Sequence, residues 1–289
     1  MSKRSKNYSD LDAGKVAVIT GAGSGIGRAL ALGLGQRGMK LALADRDETG
    51  LNETVALLGP NVEVMTACFD VSHEASNYDF AARVRERFGR VDLVVNNAGV
   101  AIGGSVLELT SEEIGWIMNV NFWGVVHGTK AFLPGIVAQK SGTIVNVSSL
   151  FGIWAPPHNS AYAASKFAVR GFTEALRGEM QTIEGSDVRI VTVHPGGIAT
   201  TIAKRARFAA AADHEIGRKR QEFFDREALT VSPDEAARVI IAGLLAGKDR
   251  ILIARESFVI DFMVRLLGNA GVRRINESAR KRMPPELRL

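Results

Sequence analysis

The feature that most constrains this chain is a series of short apolar runs that do not alternate with polar residues. Val16-Ala17-Val18-Ile19 and Leu93-Val94-Val95 present no polar face. A strand with water on one side alternates, whereas a strand buried on both sides reads like this. Runs of this kind predict strands at 15–20, 40–44, 62–68, 91–96, 142–148, 187–193 and 250–253. Segments of helical period lie between them, among them 26–37, 73–88, 111–139 and 160–183. Strand–helix repeats predict an α/β fold: a doubly wound parallel sheet with helices on both faces and right-handed crossovers. No linker, repeat or low-complexity segment divides the chain. The expected organisation is a flexible basic tail over 1–11, one domain over 12–255, and a helical extension with a basic tail over 256–289.

Composition narrows the function classes. Hydrophobic residues make up 46% of 289, enough for a large core. The net charge of +5 is partly terminal, with Lys3, Arg4 and Lys6 at the start and Arg273, Arg274, Arg280, Lys281 and Arg282 near the end. These read as solvated tails. Nucleic-acid binding would want a basic face with interleaved aromatics, and none is seen. The basic N-terminus has no apolar stretch behind it, as a secretory signal would. No apolar run approaches the ~20 residues of a spanning helix, so a cytoplasmic protein without an integral membrane segment is expected. The single cysteine, Cys68, sits in an apolar run and is expected to be buried and structural. The histidines show no metal-ligand spacing, so no metal is expected.

A glycine-rich turn, Gly21-Ala22-Gly23-Ser24-Gly25-Ile26-Gly27, follows the first strand and opens the first helix. Its spacing is G-x-x-x-G-x-G. Glycines there permit a tight turn and close backbone approach to a pyrophosphate, which then sits at the helix N-terminus. Asp45 ends the second strand, where a carboxylate can accept a hydrogen bond from a ribose 2′-hydroxyl and repel a 2′-phosphate. Arg46 argues the other way, since it can accommodate that phosphate, while Ser24 adds no charge. NAD is the expected cofactor, with NADP as the alternative.

Tyr162 and Lys166 stand four residues apart, on one face of a helix. An ammonium beside a phenol favours the phenolate and lowers a pKa that is ordinarily about 10. A tyrosine tuned this way exchanges a proton with an alcohol or carbonyl.

Together the motifs resemble the short-chain dehydrogenase/reductase family in its compact single-domain branch. They are Thr20-Gly21-x-x-x-Gly25-x-Gly27, Asp70-Val71, Asn96-Asn97-Ala98-Gly99, Val120-Asn121, Ser149, Tyr162-x-x-x-Lys166 and Pro195-Gly196. The resemblance runs from about Gly14 to Thr200, and more loosely to Ile253. It implies a Rossmann-type fold and an oxidoreductase that moves a hydride between a nicotinamide cofactor and an alcohol or carbonyl. It further implies that Asp70 and Val71 contact the adenine and that Asn97, with Ala98 and Gly99, lies along the ribose side. Ile198 and Thr200, after Pro195-Gly196, would meet the nicotinamide carboxamide. Ser149 matches the serine that hydrogen-bonds the substrate oxygen; Ser148 is adjacent, but the spacing to Tyr162 favours Ser149. Asn121 matches the asparagine that helps hold a water-linked proton path to the lysine. Lys166 would also hydrogen-bond the nicotinamide ribose.

By the same resemblance, the substrate pocket is lined by the residues after Gly99, by Leu150 to Ser160, and by the stretch after Thr200. Phe151 and Trp154 make the middle segment greasy, suiting a secondary alcohol, ketone or steroid-like ring, or they simply pack the loop. Lys204, Arg205, Arg207, Arg218, Lys219 and Arg220 could pair with an anionic handle or belong to a solvated lid. Phe258, Val259, Phe262, Met263, Leu266 and Leu267 form an apolar stripe on the extension, with Asp261 and Arg265 on the other face. Packing on the domain or on a second subunit is expected there, with membrane-surface attachment as the alternative. A homodimer or homotetramer is expected. Two other readings stay open: an NADPH-dependent 3-oxoacyl thioester reductase, and a catalytically silent NAD-binding scaffold.

Overall fold

The computed structural model describes residues 11–200, 202, 205–212, 214–228 and 230–284. The basic residues Lys3, Arg4 and Lys6, Lys204, the side chain of Arg220 and the tail 285–289 lie outside the described residues. Seven parallel strands form the main sheet: β1 (Val16–Thr20), β2 (Lys40–Asp45), β3 (Val64–Cys68), β4 (Leu93–Asn96), β6 (Ser141–Val147), β7 (Asp187–Pro195) and β9 (Arg250–Ile253). Their order is β3-β2-β1-β4-β6-β7-β9. A two-stranded parallel pair, β5 (Ile102–Gly103) and β8 (Arg207–Phe208), stands apart.

The non-alternating runs are buried on both sides. Ala17 and Ile19 face a core with Leu30 and Leu34 of α1 (Gly25–Gly35) and Ile240 and Leu244 of α8 (Pro233–Leu245). Val16 and Val18 face the opposite core. It holds Phe80 and Val84 of α3 (Glu74–Phe88), Phe132 and Ile136 of α5 (Gly124–Ala138) and Leu176 of α6 (Ser160–Gln181). Helix α2 (Glu48–Leu58) starts at Asp47, whose side chain accepts from Gly50 N, and α7 spans His214–Ala228. Among the described residues no helix is long and apolar enough to cross a membrane, and no cluster of His, Cys, Asp or Glu could hold a metal ion.

The chain adds strands outward from β1 to β3, then returns to place β4 on the other side of β1. That reversal opens a crevice at the carboxyl ends of β1 and β4, the place where open α/β sheets bind ligands.

Three sequence expectations change in detail. The pattern over 111–139 is two helices, α4 (Ser111–Met118) and α5, joined by a π-helical turn over Asn119–Trp123. Cys68 is exposed, because it ends the outermost strand β3 and no further strand covers it. The last helix, α9 (Arg255–Arg282), does not lay the whole of its apolar stripe on the domain. Asp261 faces inward and takes two 2.7 Å hydrogen bonds from Arg250 on β9 and one from Arg265. Phe258, Phe262 and Leu266 are consequently 55%, 64% and 66% exposed. An edge-strand arginine needing a counterion, on the strand immediately before the helix, fixes which face of α9 packs.

Candidate active site

The glycine turn leaves β1 and enters α1, and its backbone is packed without slack. A Cβ on Gly27 would lie 2.0 Å from the carbonyl oxygen of Gly21. Only glycine lets the first turn of α1 come this close. Asn97 braces the turn from β4, donating through Nδ2 to the carbonyls of Thr20 (3.0 Å) and Gly21 (3.2 Å). The first turn of α1 carries no acidic residue of its own to compete for the positive end of its dipole.

Gly21, Ser24, Gly25 and Ile26 line one large cleft at the carboxyl edge of the sheet. Asp45, Arg46, Asp70, Val71, Asn97, Ala98, Gly99, Pro195, Gly196, Ile198 and Thr200 line it as well. Gly27 does not; it lies behind the turn and sets the helix spacing. The cleft's volume is about 1600 Å³, above the ~300–1,000 Å³ usual for one small molecule. A glycine cradle at a helix N-terminus, a carboxylate at the end of β2 and this size fit a dinucleotide. Asp45 is held by backbone donors, Gly23 N at 2.8 Å on one oxygen and Asp47 N at 2.9 Å on the other. Each oxygen retains acceptor capacity for a hydroxyl.

Across the cleft, Ser149 caps a single 3₁₀ turn (Leu150–Gly152) after β6, and its hydroxyl accepts from Phe151 N at 3.1 Å. The two serines have different partners. Ser148 donates to the carbonyl of Lys166 at 2.8 Å, while Ser149 reaches Tyr162. His194 on β7, fully buried, places Nδ1 3.0 Å from the Ser149 carbonyl. Burial pushes its pKa down to about 4, so at neutral pH the ring is uncharged and donates from Nδ1.

Lys166 is 4% exposed, and Nζ donates to the carbonyl of Val147 at 3.1 Å, with the ammonium 5.8 Å from the Tyr162 ring centre. Burial brings its pKa down to about 8. The tyrosine does not follow the expected sign. Burial raises the Tyr162 phenol, and the hydrogen bond with Ser149 pulls it back only in part. Desolvation penalises phenolate and ammonium alike, and it is the largest influence on both groups.

Asn121 does not line the cleft. Its amide accepts from Val100 N (2.8 Å) and donates to Val100 O (3.0 Å) and Ser165 Oγ (3.0 Å). The π turn sets it there, tying the segment after β4 to α6 beside Lys166. A Cβ on Gly99 would meet both Asn121 Oδ1 (3.2 Å) and Lys166 Nζ (3.4 Å).

Phe151 and Trp154 both line the cleft. Phe151 packs edge-on between Trp154 (5.7 Å) and Tyr162 (5.9 Å). Sequence reasoning missed a further wall. Val259, Ile260 and Met263, and beyond a bend Ile275, Asn276, Ala279 and Met283, line the cleft from α9. Gly268, in the middle of an otherwise continuous helical pattern, was the available signal.

Comparisons agree with this geometry. The pattern of the short chain dehydrogenase family matches residues 15–210. The chain is 46% identical over 272 residues to a protein of Mycobacterium tuberculosis named as the oxidoreductase SadH, covering 94% of this chain and 97% of that one. It superposes on a short chain dehydrogenase/reductase from Burkholderia phymatum in complex with NAD, with a TM-score of 0.80 and 32% identity over 89% of this chain and 94% of the other. A levodione reductase structure matches with a TM-score of 0.73 and 31% identity, covering 84% and 96%. The chain belongs to the short-chain dehydrogenase family and is a nicotinamide-dependent oxidoreductase.

Proposed function

We propose that this enzyme interconverts an apolar secondary alcohol and its ketone, with Ser149, Tyr162 and Lys166 as the reacting constellation and NAD as the preferred dinucleotide. The observation that carries the proposal is that Ser149 and Tyr162 converge on the wall of one greasy cleft, with Lys166 buried beside them. When bound, the dinucleotide supplies two-electron hydride chemistry and, when oxidised, a positive charge. Gly21, Ser24, Gly25 and Ile26 would hold its pyrophosphate. Asp45 would accept from a ribose hydroxyl, with Arg46 beside it. Asp70 and Val71 would flank the adenine, Asn97, Ala98 and Gly99 the ribose side, and Pro195, Gly196, Ile198 and Thr200 the carboxamide.

Ser149 orients the substrate oxygen with its hydroxyl. Tyr162, protonated at neutral pH because burial raises its pKa, gives its proton to a carbonyl oxygen; in the reverse direction it takes the proton from the alcohol. Lys166, an ammonium below about pH 8, supplies the nearby positive charge that the departing proton leaves in demand. Asn121 holds the Val100 segment against α6 and so keeps Lys166 walled in. Phe151 and Trp154 form the apolar face against the substrate body. A homodimer or homotetramer goes with this reading, supported by Trp123 and Phe167, 46% and 40% exposed. A panel of secondary alcohols and ketones, read by the absorbance of reduced nicotinamide with both dinucleotides, tests it. Turnover of apolar ketones with NADH is expected. Activity confined to acyl thioesters with NADPH would favour the 3-oxoacyl reductase reading instead, and silence on every substrate a scaffold.

A further inference from the structure

We propose that α9 is a specificity cap on this site, selecting alcohols or ketones whose extended apolar body ends in an anion such as a carboxylate. The inference rests on the assignment of Ser149 and Tyr162 as the reacting end.

Gly268 lies inside α9 at φ 51° and ψ −132°, a conformation that glycine alone adopts without strain. The helix bends there, and a Cβ on Gly271 would lie 2.4 Å from the carbonyl oxygen of Met263. The two arms are therefore fitted against each other by glycine on both counts. On the second arm Val272, Ile275, Asn276, Ala279 and Met283 recur at helical spacing and are buried or half-buried, and four of these five border the cleft. This is the inward face.

One hydrogen bond ties that face to the site. Trp154 Nε1 donates to Asn276 Oδ1 at 2.8 Å, across 122 residues of sequence, and Trp154 is 8% exposed. From the cap, contacts run through Trp154 and Phe151 to Tyr162, ring against ring. A displacement of the second arm would thus unsettle the wall on which the reacting phenol rests.

The rim of the cleft along this arm is predominantly basic. Arg273 and Arg280 are seven residues apart, so they share one flank of the arm beside the inward face, and both border the cleft. Among the described residues neither has a hydrogen bond or ion pair. Glu277, four residues from Arg273 and three from Arg280, also borders the cleft on that flank, and among the described residues it forms an ion pair with neither. Some other arginines at the cleft are engaged: Arg205 with Asp47 at 3.0 Å, Arg207 stacked 4.0 Å over the Trp116 ring, and Arg282 with Ser278 at 3.1 Å. Arg46, Arg255 and Arg274 line it without such a partner among the described residues. Uncommitted guanidinium groups on one flank of this arm, at the mouth of an apolar channel, suit a carboxylate at the far end of a long substrate.

The test compares butan-2-ol, dodecan-2-ol and 11-hydroxydodecanoate as substrates, with dodecanoate as a ligand that has no hydroxyl to oxidise. The proteins are the wild type, Asn276→Ala and the double variant Arg273→Gln/Arg280→Gln. The wild type is expected to favour 11-hydroxydodecanoate over dodecan-2-ol by about tenfold or more in kcat/KM, through KM, and the double variant to reduce that ratio to about two. Asn276→Ala should shrink the preference for dodecan-2-ol over butan-2-ol. Calorimetric binding of dodecanoate should weaken about tenfold in the double variant. Equal kcat/KM for the charged and neutral substrates, or a ratio unmoved by the double variant, overturns the cap. If no alcohol turns over with either dinucleotide while dodecanoate still binds in an arginine-dependent way, the cap stands and the assignment of the reacting residues fails.

Discussion

At the scale of single residues, the site is a contest between desolvation and charge. A tyrosine and a lysine at i and i+4 predict an acidified phenol, and the Tyr162–Lys166 spacing was legible in the sequence. What the spacing does not convey is depth. Lys166 is almost wholly enclosed and its ammonium is held on a backbone carbonyl, so burial lowers its own pKa to about 8 and raises that of Tyr162. This has a consequence for stability. An unfolded lysine titrates near about 10.4, so between about pH 8 and that value the unfolded chain holds a proton that the folded chain has released. Stability therefore rises with pH across this window. The urea midpoint of the dinucleotide-free enzyme should climb from pH 8 to pH 10, and Lys166→Met should flatten the climb. A midpoint that falls over this range in the wild type would place Lys166 in a wetter environment than described.

At the scale of elements, the central strands were legible because their apolar runs are buried twice, once against each layer of helices. The helices of strong period were legible for the same reason. Three features were not, and each depends on tertiary surroundings that the local pattern does not carry. The π turn at Asn121 interrupts an unbroken helical period. The exposure of Cys68 follows from β3 having no outer neighbour. The orientation of α9 follows from Arg250 capturing Asp261. In each case the local pattern was satisfied by more than one arrangement, and the packing around the element selected between them. The glycine turn is the opposite case, since its function was plain locally and the structure adds the tolerance. Gly27→Ala would force a methyl into the Gly21 carbonyl and should cost upwards of about 2 kcal/mol, lowering the urea midpoint and weakening dinucleotide binding together. A variant of normal stability and affinity would mean that α1 can draw back from β1.

For the whole molecule, one topological event organises the function. The reversal between β1 and β4 brings the carboxyl ends of β1, β2, β4, β6 and β7 to a common edge. These carry, in turn, the glycine turn, Asp45, Asn97, Ser149 and Pro195. That much was readable from motif order, because a doubly wound sheet leaves the motifs no other edge to share. The closure of the cleft by α9 was not, since it depends on a bend and on one tryptophan–asparagine bond. Dinucleotide choice also belongs at this scale, because Asp45 and Arg46 stand at one end of the shared edge and the chemistry at the other. Asp45→Ser should raise the ratio of NADP to NAD usage, read as kcat/KM with one alcohol, by about tenfold. An unchanged ratio would remove Asp45 from the ribose site.

The most direct test of the proton-transfer assignment is turnover by Tyr162→Phe, with NAD affinity measured on the same protein by fluorescence titration. Phenylalanine keeps the ring packed against Phe151 and deletes only the hydroxyl. The account predicts affinity within about twofold of wild type and a kcat reduced by a factor on the order of 10³ or more. A variant that binds NAD normally and retains wild-type kcat would contradict it.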